Sequence, residues 1–305
     1  MNAIPDRQNR EAHLQYMRAA RRFYTDGKQL LALQMFLTIG VPMAGLIIGL
    51  VTPDPTIKAM VALVSLSIAI VDASVLDRWI KGTVARGAKA QEQFDCGVLE
   101  IPWDQFVAGD ALAPEDVHEA VARFSKSQND DTIRDWYPIV VGELPIHLGR
   151  IVCQRTNLWY DSTLRRMYGR TVLGIAVVVA LALFATALIG GFTVAEFVIG
   201  ALAPASPMLI WSVREFHRQR DTVSGQDRVR KHADALWARV KAGDCGELDC
   251  DAQSRQFQDA IYNRRVTGPL IFDWVYKLRR SRLEADMNAG AQQLILELRA
   301  SGQTG

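Results

Sequence analysis

The chain has little of what an enzyme or a metal protein needs. No Walker loop, Rossmann glycine fingerprint or His-Glu-x-x-His helix occurs in its 305 residues. The five histidines, His13, His118, His147, His217 and His232, are scattered, and none has the acid and nucleophile neighbours that hydrolysis requires. Cysteine is scarce as well: Cys96, Cys153, Cys245 and Cys250. Cys245 and Cys250 flank Gly-Glu-Leu-Asp, and no second Cys or His pair follows to complete a zinc site, so they read as two loop thiols. The expectation is a protein that is not an enzyme, with no catalytic residue, no metal and no cofactor. Strand signals are weak too, with Val98–Ile101 the best short candidate. There is no internal sequence repeat and no long low-complexity linker.

Charge is nearly absent in four places, and those absences set the reading. Leu30–Val51 and Ala59–Leu76 form one apolar pair, joined by Thr52–Thr56; Thr171–Gly190 and Thr193–Val213 form another, joined at Gly191-Phe192. Each stretch has ~18–22 residues, close to the ~20 that an α-helix needs to cross ~30 Å of hydrocarbon. The net charge of +2 and the charged fraction of 22% look ordinary because they average these stretches with strongly charged sequence around them. The joining segments hold no Lys or Arg, and Lys58 is the basic residue nearest to either. Arg7, Arg10, Arg18, Arg21, Arg22 and Lys28 precede the first pair, and Arg78, Lys81, Arg86 and Lys89 follow it. Arg165, Arg166 and Arg170 precede the second pair; Arg214, Arg218 and Arg220 follow it. The positive-inside rule puts these flanks in the cytoplasm, where the thiols stay reduced. The first stretch lacks a cleavage site and reads as an uncleaved signal anchor.

The predicted fold is therefore an all-α membrane protein. Two transmembrane helical hairpins, four spans in all, carry a mostly helical cytoplasmic domain built from the central loop and the C-terminal tail. The divisions are a cytoplasmic N-terminal segment (1–29), hairpin 1 (30–76), a central cytoplasmic region (77–170), hairpin 2 (171–213) and a C-terminal cytoplasmic helical region (214–305). The second span is expected to run on through Arg78–Phe94, with Gly82 and Gly87 weakening it. Pro114-Glu115-Asp116 reads as a helix start that ends near Lys126. Pro145–Tyr168 should feed into the third span, and the fourth should continue to Lys241. Leu283, Met287, Leu294 and Leu298, with Gly290 in step, predict a last helix near heptad spacing.

Inside the apolar stretches a few residues stand out. Gln34, Thr38, Gly45 and Gly49 share a helical face, and Gly45-Leu-Ile-Ile-Gly49 is a small-xxx-small pattern that lets backbones approach. Ser65 and Asp72 share a face of the second span. These six are read as a pore or packing face. Asp72 lies near Arg78, so the alternatives are a gating acid and a tolerated interfacial one; Glu196 lies similarly close to the outer end of span four. Pro204 and Pro207 should kink or break the fourth span.

The soluble motifs sharpen the picture. Ala90–Trp103 follows the first hairpin, and Asp135-Trp-Tyr-Pro138 closes the central region. Cys153–Asp161 and Leu164–Tyr168 lead into the second hairpin; Gln258–Arg265 and Pro269–Tyr276 follow it. In this order around two hairpins, the chain resembles the SMODS-associated four-transmembrane effectors, proposed pore formers in bacterial nucleotide-signalling conflict systems. The resemblance runs from the first span to about Arg282. It implies a signal-gated, membrane-disrupting effector that acts downstream of a nucleotidyltransferase in anti-phage defence by oligomerising in the bacterial inner membrane. The charged flanks, by the positive-inside rule, predict a multi-pass protein with both termini cytoplasmic.

The implied partners are membrane lipid, further copies of this chain, and a cyclic oligonucleotide second messenger or a separate sensor protein, with no nucleic acid. The competing readings are a membrane-anchored interaction scaffold without a pore, and a small housekeeping channel or transporter. Arginines recognise phosphates and aromatic faces stack on bases, which nominates Gln258, Tyr262, Arg264, Arg265, Trp274 and Tyr276 as a ligand-binding set. The alternative is that Ile261, Tyr262, Leu270, Phe272 and Trp274 pack the tail. Arg165, Arg166, Arg214 and Arg218 read as juxtamembrane cations facing anionic headgroups.

Overall fold

The computed structural model describes residues 1–41, 43–45, 48, 54–126 and 129–302, and every regular element among them is helical. The helices are α1 (Ile4–Arg7), α2 (Glu11–Met35), α3 (Pro55–Val71), α4 (Asp77–Leu99), α5 (Gln105–Ala108), α6 (Pro114–Ser125), α7 (Ile146–Ile189), α8 (Val194–Phe197), α9 (Ala203–Ala242), α10 (Glu247–Thr267) and α11 (Asp273–Ala300). The chain divides into two compact units. The first comprises Met1–Asp26, Thr83–Arg165 and Thr222–Gly305, and the second Gly27–Gly82 and Arg166–Asp221.

The first unit is built by ordinary helix chemistry. α6 starts on Pro114 with Glu115 and Asp116 in its first turn and Arg123 in its last, matching the helix dipole at both ends. It turns Val117, Ala120 and Phe124 inward at three- and four-residue steps. α5 is capped by the Asp104 carboxylate, which accepts from the Phe106 and Val107 N–H groups at 2.8 and 3.2 Å. α11 buries Leu283, Met287, Ala291, Ile295 and Leu298. Phe124, Ala291, Ile295 and Leu298 meet in a core that includes Ile4, Leu14, Phe94, Ile151 and Trp237, while Val117 and Ala120 pack with Ala20, Phe23 and Ala90 in a second cluster. Phe94 and Tyr137 stack there, with centroids 6.3 Å apart.

The strand predicted at Val98–Ile101 does not form: Val98 and Leu99 are the last turn of α4. Phe94 and Val98 are four apart and continue one buried helical face, which a two-residue apolar run cannot reveal. Glu100 then takes φ +54°, and the Ile101 N–H returns to the Cys96 carbonyl at 3.1 Å, closing the helix. Cys250 likewise is not a loop thiol but lies in the first turn of α10, 2.9 Å from the Cys245 sulfur.

In the second unit many large apolar side chains face outward. α7 is one unbroken helix of 44 residues. In its C-terminal half Ile175, Val178, Leu181, Phe184 and Leu188 are each more than half exposed. The turn after it uses Gly191 at φ +64°, and a Thr193–Glu196 capping box restarts the chain. Two helical segments among the described residues are long and apolar enough to cross a membrane, Ile146–Ile189 and Val194–Ala242, and little of either apolar window is buried. Pro204 and Pro207 do not break the fourth apolar stretch. A π-helical turn at Val198–Leu202 precedes Pro204, and α9 continues with Pro207 inside it. Ala59–Ile68 is a shorter apolar helix. Gly49 and, in the linker, Thr52 and Pro53 lie outside the described residues.

Candidate functional site

The first unit holds a buried charge cluster, assembled from α4, α7, α10 and the segment before α7. Glu92 and Asp95, one turn apart on α4, are almost wholly buried. Two isolated carboxylates there would each cost several kcal/mol, by the order-of-magnitude penalty for desolvating an ion, so their partners decide whether the fold stands. Arg255 Nη2 donates to Glu92 Oε1 at 2.9 Å. Gln258 Nε2 donates to Glu92 Oε2 at 2.7 Å and to Asp95 Oδ2 at 3.0 Å. Arg265 Nη1 reaches Asp95 Oδ2 at 2.5 Å, and the Tyr137 hydroxyl donates to Asp95 Oδ1 at 2.7 Å. Gln154 holds Gln258 in turn: its Nε2 donates to Gln258 Oε1 at 3.1 Å, while Ser254 Oγ donates to Gln154 Oε1 at 3.0 Å. Burial, with the Asp95 charge beside it, raises the Glu92 carboxyl above its ordinary pKa, and burial does the same to the Tyr137 hydroxyl. Each residue of the cluster is bonded, although Arg265 Nη2 has no partner, and these bonds tie α10 to α4.

Next to this cluster lies a cavity of about 410 Å³. Its walls come from the segment 131–137, the first half of α7 and the first half of α11. Trp136, Tyr137, Tyr160 and Tyr276 are its aromatic members, Arg134 and Arg280 its cations, Asp131, Asp135 and Glu284 its carboxylates, and Thr132, Asn157 and Asn288 further polar wall residues. The Arg21 guanidinium lies over the Trp136 and Tyr276 rings, 5.6 and 5.0 Å from their centroids, and donates to the Tyr276 hydroxyl at 2.9 Å. The segment is clamped from the N-terminus. Asn9 exchanges two hydrogen bonds with Asp135, which sits at φ +49°. Gln8 brackets the Tyr137 backbone, accepting its N–H at 2.7 Å. Arg18 grips Asp130 with two bonds at 2.9 and 2.7 Å, and this holds the Asp130 carboxyl below its ordinary pKa. Asn157 Nδ2 and the Tyr160 hydroxyl are buried polar atoms with no partner.

The six residues nominated as a ligand set part company. Gln258 and Arg265 belong to the buried cluster. Tyr262 packs with Ala88 and Ala108. Arg264 lies flat against Gly225, where a methyl group would collide with the guanidinium. Trp274 is 43% exposed, and Tyr276 reaches the cavity. Arg21, Trp136, Asn157, Tyr160 and Arg280 fall outside that set. A signal was there, since Trp136, Asn157, Tyr160 and Tyr276 each lie in one of the soluble motifs. Sequence distance hid their convergence.

Of the membrane-face residues, Gln34 Nε2 donates to Asp72 Oδ1 at 2.7 Å, and Thr38 bonds its own helix at Gln34 O. A side chain at Gly45 would strike Val61, so here the backbone approach is close. Ser65 is half-buried. Among the described residues no group of three His, Cys, Asp or Glu is placed to hold a metal ion.

An all-helical chain with long, outward-facing apolar helices is built as a membrane protein. It belongs to the SMODS-associating 4TM effector domain family, whose model matches residues 2–294. It is also similar, at 25% identity over 289 residues, to a probable CBASS effector molecule of Bacillus cereus (strain VD146), with 92% of this chain and 95% of the relative covered. No solved structure matches it.

Proposed function

We propose that this protein is a membrane-disrupting effector of a bacterial anti-phage system that signals with cyclic oligonucleotides. Family membership supplies the system and the four-span domain, and the Bacillus cereus relative's name, probable CBASS effector molecule, points the same way. The carrying observation is the outward apolar surface of the second unit. Leu181 and Leu188 are 62% and 67% exposed on a helix long enough to span hydrocarbon. In water each would forgo about 1.5–3 kcal/mol of burial; in lipid nothing is lost.

In this reading all four apolar stretches cross the inner membrane, and the first unit, with both termini, faces the cytosol. Four helices enclose no wide pore, so breaching the membrane requires several copies. The signal is received by the first unit, and a change in its packing licenses assembly. None of this needs a catalytic residue. The test is dye release from liposomes carrying the purified full chain, with and without a panel of cyclic oligonucleotides, paired with membrane potential in expressing cells. Release and depolarisation on addition of one compound are expected. Toxicity in cells whose potential stays intact would overturn the reading.

A further inference from the structure

We infer that the 410 Å³ cavity of the first unit is the receptor site for one unit of an anionic nucleotide, its base lying on the Trp136–Tyr276 wall. This deepens the function proposed above and rests on it only for the steps after binding. The volume falls within the ~300–1,000 Å³ of small-molecule sites. The wall is aromatic, and Arg21 lies over both rings from outside the lining, which makes it a surface for a flat group. The carboxylates that also line the cavity are each engaged: Asp135 by Asn9, Asp131 by Asn129 and Glu284 by Arg280.

Two unmet polar atoms point to a ligand with its own hydrogen-bonding edge. Asn157 Nδ2 and the Tyr160 hydroxyl are shut off from water and unbonded; left so, each costs about 1–3 kcal/mol. A base edge entering the cavity, with a small turn of either side chain, satisfies both. The phosphate has a receiver at the rim. Arg134 is half exposed and reaches Asp130 at 3.5 Å, while Asp130 is already gripped by Arg18. Arg280 is less available, held by Glu284 at 2.6 Å and the Asp131 carbonyl at 3.0 Å. Base specificity thus falls to Asn157 and Tyr160, and charge recognition to Arg134.

The cavity also has a route for its signal. Tyr137 lines it, and the Tyr137 hydroxyl is bonded to Asp95 in the buried cluster. Asn157 and Tyr160 sit on α7, the helix that continues into the third apolar stretch.

The experiment is calorimetric titration of the full chain in nanodiscs with cyclic diadenylate, cyclic guanylate–adenylate and cyclic triadenylate, with inorganic phosphate as control. At least one cyclic probe binds and phosphate alone does not. Trp136→Ala and Asn157→Leu weaken that probe by ~10-fold or more, the size expected from losing a stacked base or its hydrogen bonds, and Trp136→Phe, which keeps a ring, retains most of the affinity. Arg134→Gln weakens it several-fold and flattens its salt dependence. Binding by none of the probes, or equal binding by wild type and Asn157→Leu, overturns the assignment. The two readings separate in the same liposomes. Probe binding lost in Asn157→Leu but without dye release in wild type sinks the pore and keeps the cavity. Dye release with the same dose response in Asn157→Leu sinks the cavity and keeps the pore.

Discussion

The two units treat large apolar side chains in opposite ways. In the first, Phe94, Phe124 and Ile151 are at most 1% exposed; in the second, Val178, Leu181 and Leu188 are more than 60% exposed. Buried acids are partnered in both: the first unit satisfies Glu92 and Asp95 with Arg255, Arg265, Gln258 and Tyr137, and in the second Glu215 is bonded by Gln219 and Asp72 by Gln34. One chain thus obeys two solvents. Where water is the solvent, folding hides apolar area and can bury charge if it is paired; where lipid is the solvent, apolar area needs no hiding and charge is nearly excluded.

That contrast can be broken, and the largest break is in the cluster. Arg265→Leu strands the Asp95 carboxylate. Removing one partner of a buried pair costs about 3–5 kcal/mol. The first unit should lose its cooperative thermal transition, read by circular dichroism and limited proteolysis. Phe94→Ala should cost nearly as much, about 3–5 kcal/mol of cavity and transfer energy, while Leu181→Ala in detergent should shift the midpoint within error. Equal effects of the two truncations would erase the distinction between the units.

A charge sharpens it further. On a water-exposed surface, Leu→Arg is harmless. At Leu181, near the middle of the third apolar stretch, Leu181→Arg should raise the insertion free energy by about 2.5–3.5 kcal/mol, seen as loss of membrane-fraction protein in a translocation assay. Normal insertion would contradict the lipid-facing reading. Smaller is Gln34→Leu, which takes the hydrogen bond from Asp72. A pair of this kind is worth ~0.6 kcal/mol on average in membranes, so a slight fall in detergent resistance is expected. A large fall would mean the pair does more than pack.

The smallest effect is a titration confined to the first unit. Burial, then Arg7 and Arg10, hold the His13 imidazole below its ordinary pKa of 6.5. A depressed histidine favours its neutral form, so its contribution is present above that pH and lost as the pH falls. Between pH ~7.5 and ~5.5 the wild-type midpoint should drop more than that of His13→Gln. Identical drops would remove His13 from the account.

Much of the helical plan was legible, because periodicity and punctuation are local. Pro114, the 283–298 stripe and the run of α7 into apolar sequence can be read from residues a few positions apart. The strand expected at Val98–Ile101 fails, since four residues cannot distinguish a strand from the last turn of a buried helix. Cys250 is hidden in sequence because a helix starting at Glu247 carries no side-chain cap to announce it. The ligand set groups neighbours in sequence, but Gln258 and Tyr276 turn to different surroundings.

What the sequence carries by itself is the apolar character of each stretch, since a run of ~20 residues with almost no charge has its own transfer free energy wherever the chain puts it. What the tertiary structure alone decided is company: that Asp95 meets Arg265 and Tyr137, and that Arg21, Trp136 and Tyr276, 255 residues apart at their extremes, share one wall. Pairing across such separations is set by how helices pack, a global outcome that no local pattern encodes.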